Sequence, residues 1–226
     1  MRHIDLLSIP RKDQGYVLVL PGIEGASYFN ASVVRGLVDA GIPYAIERYD
    51  WTCGFFLFLY NLCSSKLHHQ QAEVIADKIS QYQSEYPNRP VYLIGHSGGG
   101  AMAVLTTSKL ARHQSVTGLV LLANAMSHDY QLDDVLARVD QKVWNVTSVG
   151  DLFFIGLMTT LLGTFDRKWT FCAGLSGFTR TQNEKLVEMP YRAEYVSARN
   201  FAGHFGCTAH HFVRKHLAPL LAAPDS

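Results

Sequence analysis

The pentapeptide Gly95-His96-Ser97-Gly98-Gly99 joins a serine to glycines placed two residues on either side of it. A serine at the apex of a sharp turn between a strand and a helix projects its hydroxyl above the sheet edge. Glycines at those two positions let strand and helix pass closely. The apolar run Val91-Tyr92-Leu93-Ile94 precedes the turn, and small and apolar residues at helical spacing follow it to Met102. The same five residues could form a plain glycine-rich turn, but this context favours a nucleophile. A serine hydroxyl is weak in that role, so a base must take its proton, and a carboxylate must orient that base.

His204 is the candidate base, because it lies in a glycine-flanked turn after the last expected strand. His210, His211 and His216 compete with it, but they fall within an expected C-terminal helix, whereas a base needs a loop at the sheet edge. Asp151, after Val149-Gly150, is the candidate acid; its plainer reading is a cap for whatever helix follows. Asp129 is the reserve acid and Asp166 a weaker third. His96 is expected to pack or hydrogen-bond locally, and Glu24 is given no chemical role. Neither His68-His69 nor Cys207 with His204 finds further ligands at usable spacing, so no metal site is expected, and no cofactor is implied.

The elements that must position these residues read as alternating strands and helices. Gly15 to Leu20 is a continuous apolar run, as in a buried parallel strand, and ends at Pro21-Gly22. Phe29, Val33, Leu37 and Ala40 recur at helical spacing before Gly41. A second, less buried strand is read over Ile42 to Tyr49. The aromatic stretch Thr52 to Gln70 is read as an excursion over the sheet edge. Ile75, Ile79, Tyr82 and Tyr86 form a helical stripe that Pro87 ends. Val116 to Ala123 and Lys142 to Val149 are expected strands, with a short helix between Asp129 and Asp140. Ala193 to Ala198 is read as the last strand, and a helix from Thr208 carries Val213, Leu217 and Leu220 inward. The sum is a single α/β domain over residues 1–226, with a mainly parallel sheet flanked by helices on both faces.

In such a sheet ligands gather at the carboxyl ends of the strands. Serine, acid and histidine follow separate strands in that order. With its elbow Gly95-His96-Ser97-Gly98-Gly99, the chain resembles the α/β-hydrolase superfamily from about residue 15 to its end. The resemblance implies a compact serine esterase or lipase-like enzyme without a large cap domain. It also implies two backbone donors for the oxyanion, one on Gly98 and one on Ile23 in the loop Pro21-Gly22-Ile23-Glu24-Gly25. That loop lacks the histidine-glycine pair common in lipases and esterases.

The expected reaction is cleavage of a carboxylic ester, or a thioester, through an acyl-enzyme on Ser97, with His204 as base and Asp151 as acid. The substrate is a small ester with an apolar acyl or alcohol part if Phe55 to Tyr60 or Leu152 to Leu162 lines the pocket; the alternative for both segments is core. Two other readings stand: a non-catalytic protein of this fold that binds a small apolar ligand or a partner, and a lipase working on a lipid surface.

Composition bounds these readings. The 226 residues are 48% hydrophobic and 17% charged, with 18 glycines and 8 prolines, which describes a folded chain with a large core. Twenty Lys and Arg against 19 Asp and Glu leave a formal charge of +1, so nothing attracts nucleic acid. No apolar stretch approaches the about 20 residues needed to span a bilayer. The start Met1 to Leu7 shows no secretory signal, which makes a cytoplasmic location the default, and the four cysteines are read as reduced thiols. Oligomeric state is not legible.

Overall fold

A computed structural model describes residues 5–148, 150 and 163–222. Its centre is a six-stranded sheet in the order β2-β1-β3-β4-β5-β6, every neighbouring pair parallel. The strands are β1 Tyr16–Leu20, β2 Ala45–Arg48, β3 Val91–His96, β4 Val116–Leu122, β5 Val139–Val146 and β6 Leu186–Met189. The chain winds outward from β1 to β2, then returns to lay β3 on the other side of β1. The crevice between the carboxyl ends of β1 and β3 is therefore the switch point of the sheet, where α/β folds bind ligands.

The helices are α1 Ile9–Lys12, α2 Tyr28–Asp39, α3 Phe58–Cys63, α4 Ser65–Glu85, α5 Gly98–Lys109, α6 Asp133–Leu136 and α7 Ala173–Ser176, followed by a helical run over 210–221. Period-two alternation in the strands sorts side chains between two cores. Tyr16, Leu18, Leu20, Val91, Leu93, Leu119 and Leu121 point to one face, where Ile75 and Ile79 of α4, Met102 of α5 and Val135 of α6 pack. Val17, Val19, Tyr92, Ile94, Val120 and Leu122 point to the other, under Val33 and Leu37 of α2 and Phe212, Val213 and Leu217 of the C-terminal run. This is the expected parallel sheet with helices on both faces.

Three boundaries differ from the reading of the sequence. Ala193–Ala198 is a 3-10 helix, not a strand; the last strand is Leu186–Met189. Its buried residues, Tyr195 and Ala198, lie three apart, which suits three residues per turn and not strand alternation. The long helix starts at Ser65, six residues before Gln71, because Ser64 caps it by accepting from the Leu67 N–H at 3.3 Å. The C-terminal run is not one regular helix: Val213–Leu217 is a π-helical stretch, although Val213 and Leu217 are buried as expected.

Candidate functional site

Ser97 joins β3 to α5 with φ 53 and ψ −119, a left-handed-side backbone that a serine adopts only when its surroundings fix it. Those surroundings are visible. The Ser97 N–H donates to Leu122 O of β4 at 2.8 Å, and Ser97 O accepts from Ala125 N–H at 3.2 Å and Gly100 N–H at 3.0 Å. A Cβ on Gly95 would stand on the Gly99 carbonyl, and one on Gly99 would stand on the carbonyl oxygens of Leu20 and Pro21. Only glycine lets α5 start this close to β3 and β1. The Ser97 side chain remains partly exposed at the amino end of α5, where the first helical N–H groups have no intrahelical partner.

The loop after β1 reaches the same point. A Cβ on Gly98 would meet Ile23 Cγ2 at 2.9 Å, Trp51 Cζ2 at 3.3 Å and the Ile23 nitrogen at 3.5 Å. The two residues that the resemblance names as oxyanion donors are therefore in contact.

His204 lies against His96, the residue before Ser97. Its ring centroid lies 4.6 Å from that of His96 and 4.9 Å from that of Phe205, and Phe205 stacks on Phe29 of α2 at 3.7 Å. His96 Nε2, facing the His204 carbonyl oxygen at 2.9 Å, carries the proton and donates it. Desolvation first, and then the neighbouring His204, push the buried His96 imidazole down to about 3, so it is neutral throughout the physiological range. The expected local role for His96 is what the structure shows, with the added finding that its partner is the backbone of His204.

Asp151 and the run 152–162 lie outside the described residues. The residue before Asp151 is described: the Gly150 N–H donates to Ala202 O at 3.1 Å, and Ser148 Oγ donates to the same oxygen at 2.5 Å. The end of the β5 turn is thus tied two residues ahead of His204. Asp129 accepts from Lys168 at 2.7 Å and faces Arg180 at 3.7 Å, and the Lys168 hydrogen bond holds its carboxyl below the usual range. Asp166 accepts from Ser127 N–H at 3.0 Å and Ser127 Oγ at 2.5 Å. The two carboxylates cross-link the loop after β4 to the segment before α7. His210 and His211 stand on the C-terminal helical run, and His216 is packed against Tyr195 and Phe212.

Three residues at the site carried no signal strong enough to assign from sequence. Glu24, set aside as a loop carboxylate, is half-buried. Burial pushes its carboxyl up, against the Glu24 and Gly22 backbone amides, Ser27 and His204, which pull it down; Ser27 Oγ donates to it at 3.2 Å. Trp51, just before the aromatic excursion, and Asn61, inside it, hydrogen-bond to the loop after β1. The flanking glycines Gly22 and Gly25 were the available hint that Glu24 sits in a tight loop. The side chains from Phe55 to Tyr60 are exposed, Phe56 to 95%, so this half of the suspected pocket wall is not core. Among the described residues no helix is long and apolar enough to cross a membrane, and no cluster of three metal-ligating side chains occurs.

Comparison with known proteins agrees with this geometry. Human monoglyceride lipase is 39% identical over 49 residues, a stretch covering 22% of this chain and 16% of that protein. A dienelactone hydrolase-like promiscuous phosphotriesterase from metagenomic libraries superposes with a TM-score of 0.52 at 15% identity, over 92% of this chain and 85% of that one. A monoacylglycerol lipase from Paleococcus ferrophilus gives 0.51 at 13% identity, over 92% and 95%. At such identities the structural likenesses establish the fold. Residues 39–153, just over half of the chain and including the elbow, match the family Lipase (class 3). With the serine elbow at the switch point of a parallel sheet, the chain belongs to the class 3 lipase family, within the α/β-hydrolase superfamily.

Proposed function

We propose that this chain is a serine hydrolase that cleaves a carboxylic ester, with a thioester as the related option, through an acyl-enzyme on Ser97. His204 takes the Ser97 proton as Oγ attacks the carbonyl carbon. The carbonyl π pair becomes an oxyanion that the Gly98 and Ile23 amides receive. Collapse of that oxyanion expels the alcohol, which leaves with the proton from His204; water then repeats the steps on the acyl-enzyme. Asp151 holds the imidazole tautomer and stabilises its protonated form. The observation that carries this reading is the Ser97 backbone, φ 53 and ψ −119, held at the switch point with the His204 segment hydrogen-bonded to the adjacent His96.

The 49-residue likeness to human monoglyceride lipase makes a glycerol monoester the first substrate to try. The test is a panel of esters graded in acyl length, run on wild type and Ser97→Ala together. Loss of a triad member lowers turnover by about 10⁴ to 10⁶. Near-normal hydrolysis by Ser97→Ala ends the assignment. Presenting the same esters on vesicles tests a second reading, a lipase working at a lipid surface, which the exposure of Phe55 to Tyr60 favours. Activity that does not rise on vesicles counts against that reading alone.

A further inference from the structure

The excursion after β2 does more than cover the sheet edge: three of its side chains grip the loop after β1. Trp51, buried, donates from Nε1 to Pro21 O at 2.8 Å. Asn61, with 0% of its surface exposed, donates from Nδ2 to Ile23 O at 2.9 Å and to Gly54 O at 3.0 Å, while its Oδ1 accepts from the Cys53 N–H at 2.9 Å. The main-chain oxygen of Asn61 is held in turn by His68 Nε2 at 2.6 Å. Asp50 accepts from the Ala26 N–H at 2.9 Å and from Thr52 Oγ1 at 2.8 Å, and a Cβ on Gly25 (φ +77) would meet Thr52 Oγ1 at 2.7 Å. The loop is thus fixed at residues 21, 23 and 26. The peptide joining Gly22 to Ile23 lies between the first two grips.

The loop's own chemistry singles out the same peptide. The backbone amides of Gly22 and Glu24 bear on the Glu24 carboxylate. The Ile23 N–H between them meets no acceptor among the described residues. The Ile23 nitrogen lies 3.5 Å from where a Cβ on Gly98, the residue after Ser97, would stand.

The geometry points to Trp51 and Asn61 as positioning residues that lock the Gly22–Ile23 peptide with its N–H available to the oxyanion formed at Ser97. This rests on the reading of Ile23 as an oxyanion donor. An oxyanion donor stabilises the developing charge only if it is oriented before the charge appears, because reorientation during the reaction consumes the gain. A loop with glycines at 22 and 25 has wide freedom of its own. Hydrogen bonds from two buried side chains, one to the carbonyl before the peptide and one to the carbonyl after it, remove that freedom without touching substrate.

The test uses the purified full chain, a soluble p-nitrophenyl ester, and a trifluoromethyl ketone of matching acyl length. Ser97 Oγ adds to the ketone carbon, the carbonyl becomes an oxyanion and the serine proton passes to His204, so the inhibitor constant reads the oxyanion site directly. Trp51→Phe deletes the indole donor and keeps most of the ring; Asn61→Leu deletes both amide donors, and the Oδ1 acceptor of the Cys53 N–H with them, on the same branched skeleton. Each is expected to lower kcat about 10- to 100-fold, short of the about 10² to 10³ for loss of a donor itself. KM should stay within about threefold, and the ketone constant should rise by the factor that kcat falls. Tyr49→Phe, which removes a hydrogen bond to Gln71 on the same sheet edge, should leave all three unchanged. Trp51→Phe with kcat within about twofold of wild type overturns the inference, as does a fall in kcat with no change in the ketone constant. If Asn61→Leu does not fold, Trp51→Phe decides alone. Ser97→Ala is run in parallel: if it is inactive while Trp51→Phe is normal, only the brace is lost; if it is active, the acyl-enzyme reading fails and the brace with it.

Discussion

Gly99→Ala is expected to unseat the fold and the site together. An alanine Cβ there would overlap the carbonyl oxygens of Leu20 and Pro21, with the Leu20 carbonyl carbon at 2.8 Å, distances that real Cβ atoms do not show. These are backbone atoms of the last residue of β1 and the one after it, with no side chain to swing aside, and β1 is hydrogen-bonded on both sides to β2 and β3. Either α5 must withdraw from the sheet or the end of β1 must move, and overpacking of this kind costs about 3 kcal/mol, the upper part of the usual range. For a chain of this size that corresponds to a fall of ~6–12 °C in melting temperature. Gly41→Ala is the matched comparison: it has φ +79 but nothing within 4 Å, so it carries only left-handed strain of about 1 kcal/mol. Thermal unfolding followed by circular dichroism, with ester turnover measured well below both transitions, separates the two. Gly99→Ala should melt lower by two to three times the shift of Gly41→Ala, roughly in the ratio of those costs. It should also lose turnover while still folded, because Leu20 and Pro21 are the root of the loop that bears Ile23. A Gly99→Ala protein with wild-type melting and wild-type turnover would refute the close-packing argument.

Two further outcomes follow from charges. Asp151→Asn should cut kcat severely, by about 10⁴ as for the acid of other triads, whereas Asp129→Asn, which only releases Lys168 and Arg180, should be mild; the reverse pattern in steady-state rates moves the acid to the β4 loop. Stability should fall between pH 7 and pH 5.5. Burial, ahead of their other interactions, lowers the His68 and His96 imidazoles to about 4 and about 3, so in this window the unfolded chain protonates both and the folded chain neither. Groups with lowered folded values hold their full stability above the unfolded value near 6.5 and lose it as pH drops below; over one unit, two such histidines remove about 2–3 kcal/mol. Urea midpoints unchanged from pH 7 to pH 5.5 would contradict the neutral burial of these rings.

The parallel sheet and the elbow were legible because both are written locally. Runs such as Tyr16 to Leu20 are apolar at every position, and glycines at 95 and 99 mark a close approach that the structure then shows against Gly99 and Leu20. The 3-10 helix at Ala193–Ala198 was misread as a strand because its apolar positions Ala193, Tyr195, Val196 and Ala198 include spacings of both two and three. The brace was illegible for a different reason. Trp51 and Asn61 act on Pro21 and Ile23 across 30 and 38 residues, and the aromatic run between them drew attention to the wrong side chains, since Phe55 to Tyr60 face solvent while Asn61 is buried. Glu24 was passed over because Gly22 and Gly25 mark a tight loop without telling how deep its carboxylate lies.

His96 shows how the elbow's second residue constrains the chemistry proposed for its neighbours. Its ring lies 4.6 Å from that of His204. When His204 takes the serine proton it becomes a cation, and a second cation at that separation would oppose it by about 3–4 kcal/mol at an effective dielectric of about 20. Burial prevents this by keeping His96 neutral down to about pH 3. The same burial leaves the ring free to donate to the His204 carbonyl, which ties the His204 segment to the strand that leads into Ser97. A neutral donor is therefore what the position requires, because a charged one would hold the loop equally well but work against the proton transfer. The register of the sheet completes the arrangement: Leu20 pairs with Gly95 and His96 with Leu122, so the loop after β1, the elbow and the β4 turn all leave the sheet at one level. Segments from distant parts of the chain meet there because parallel strands in register end together.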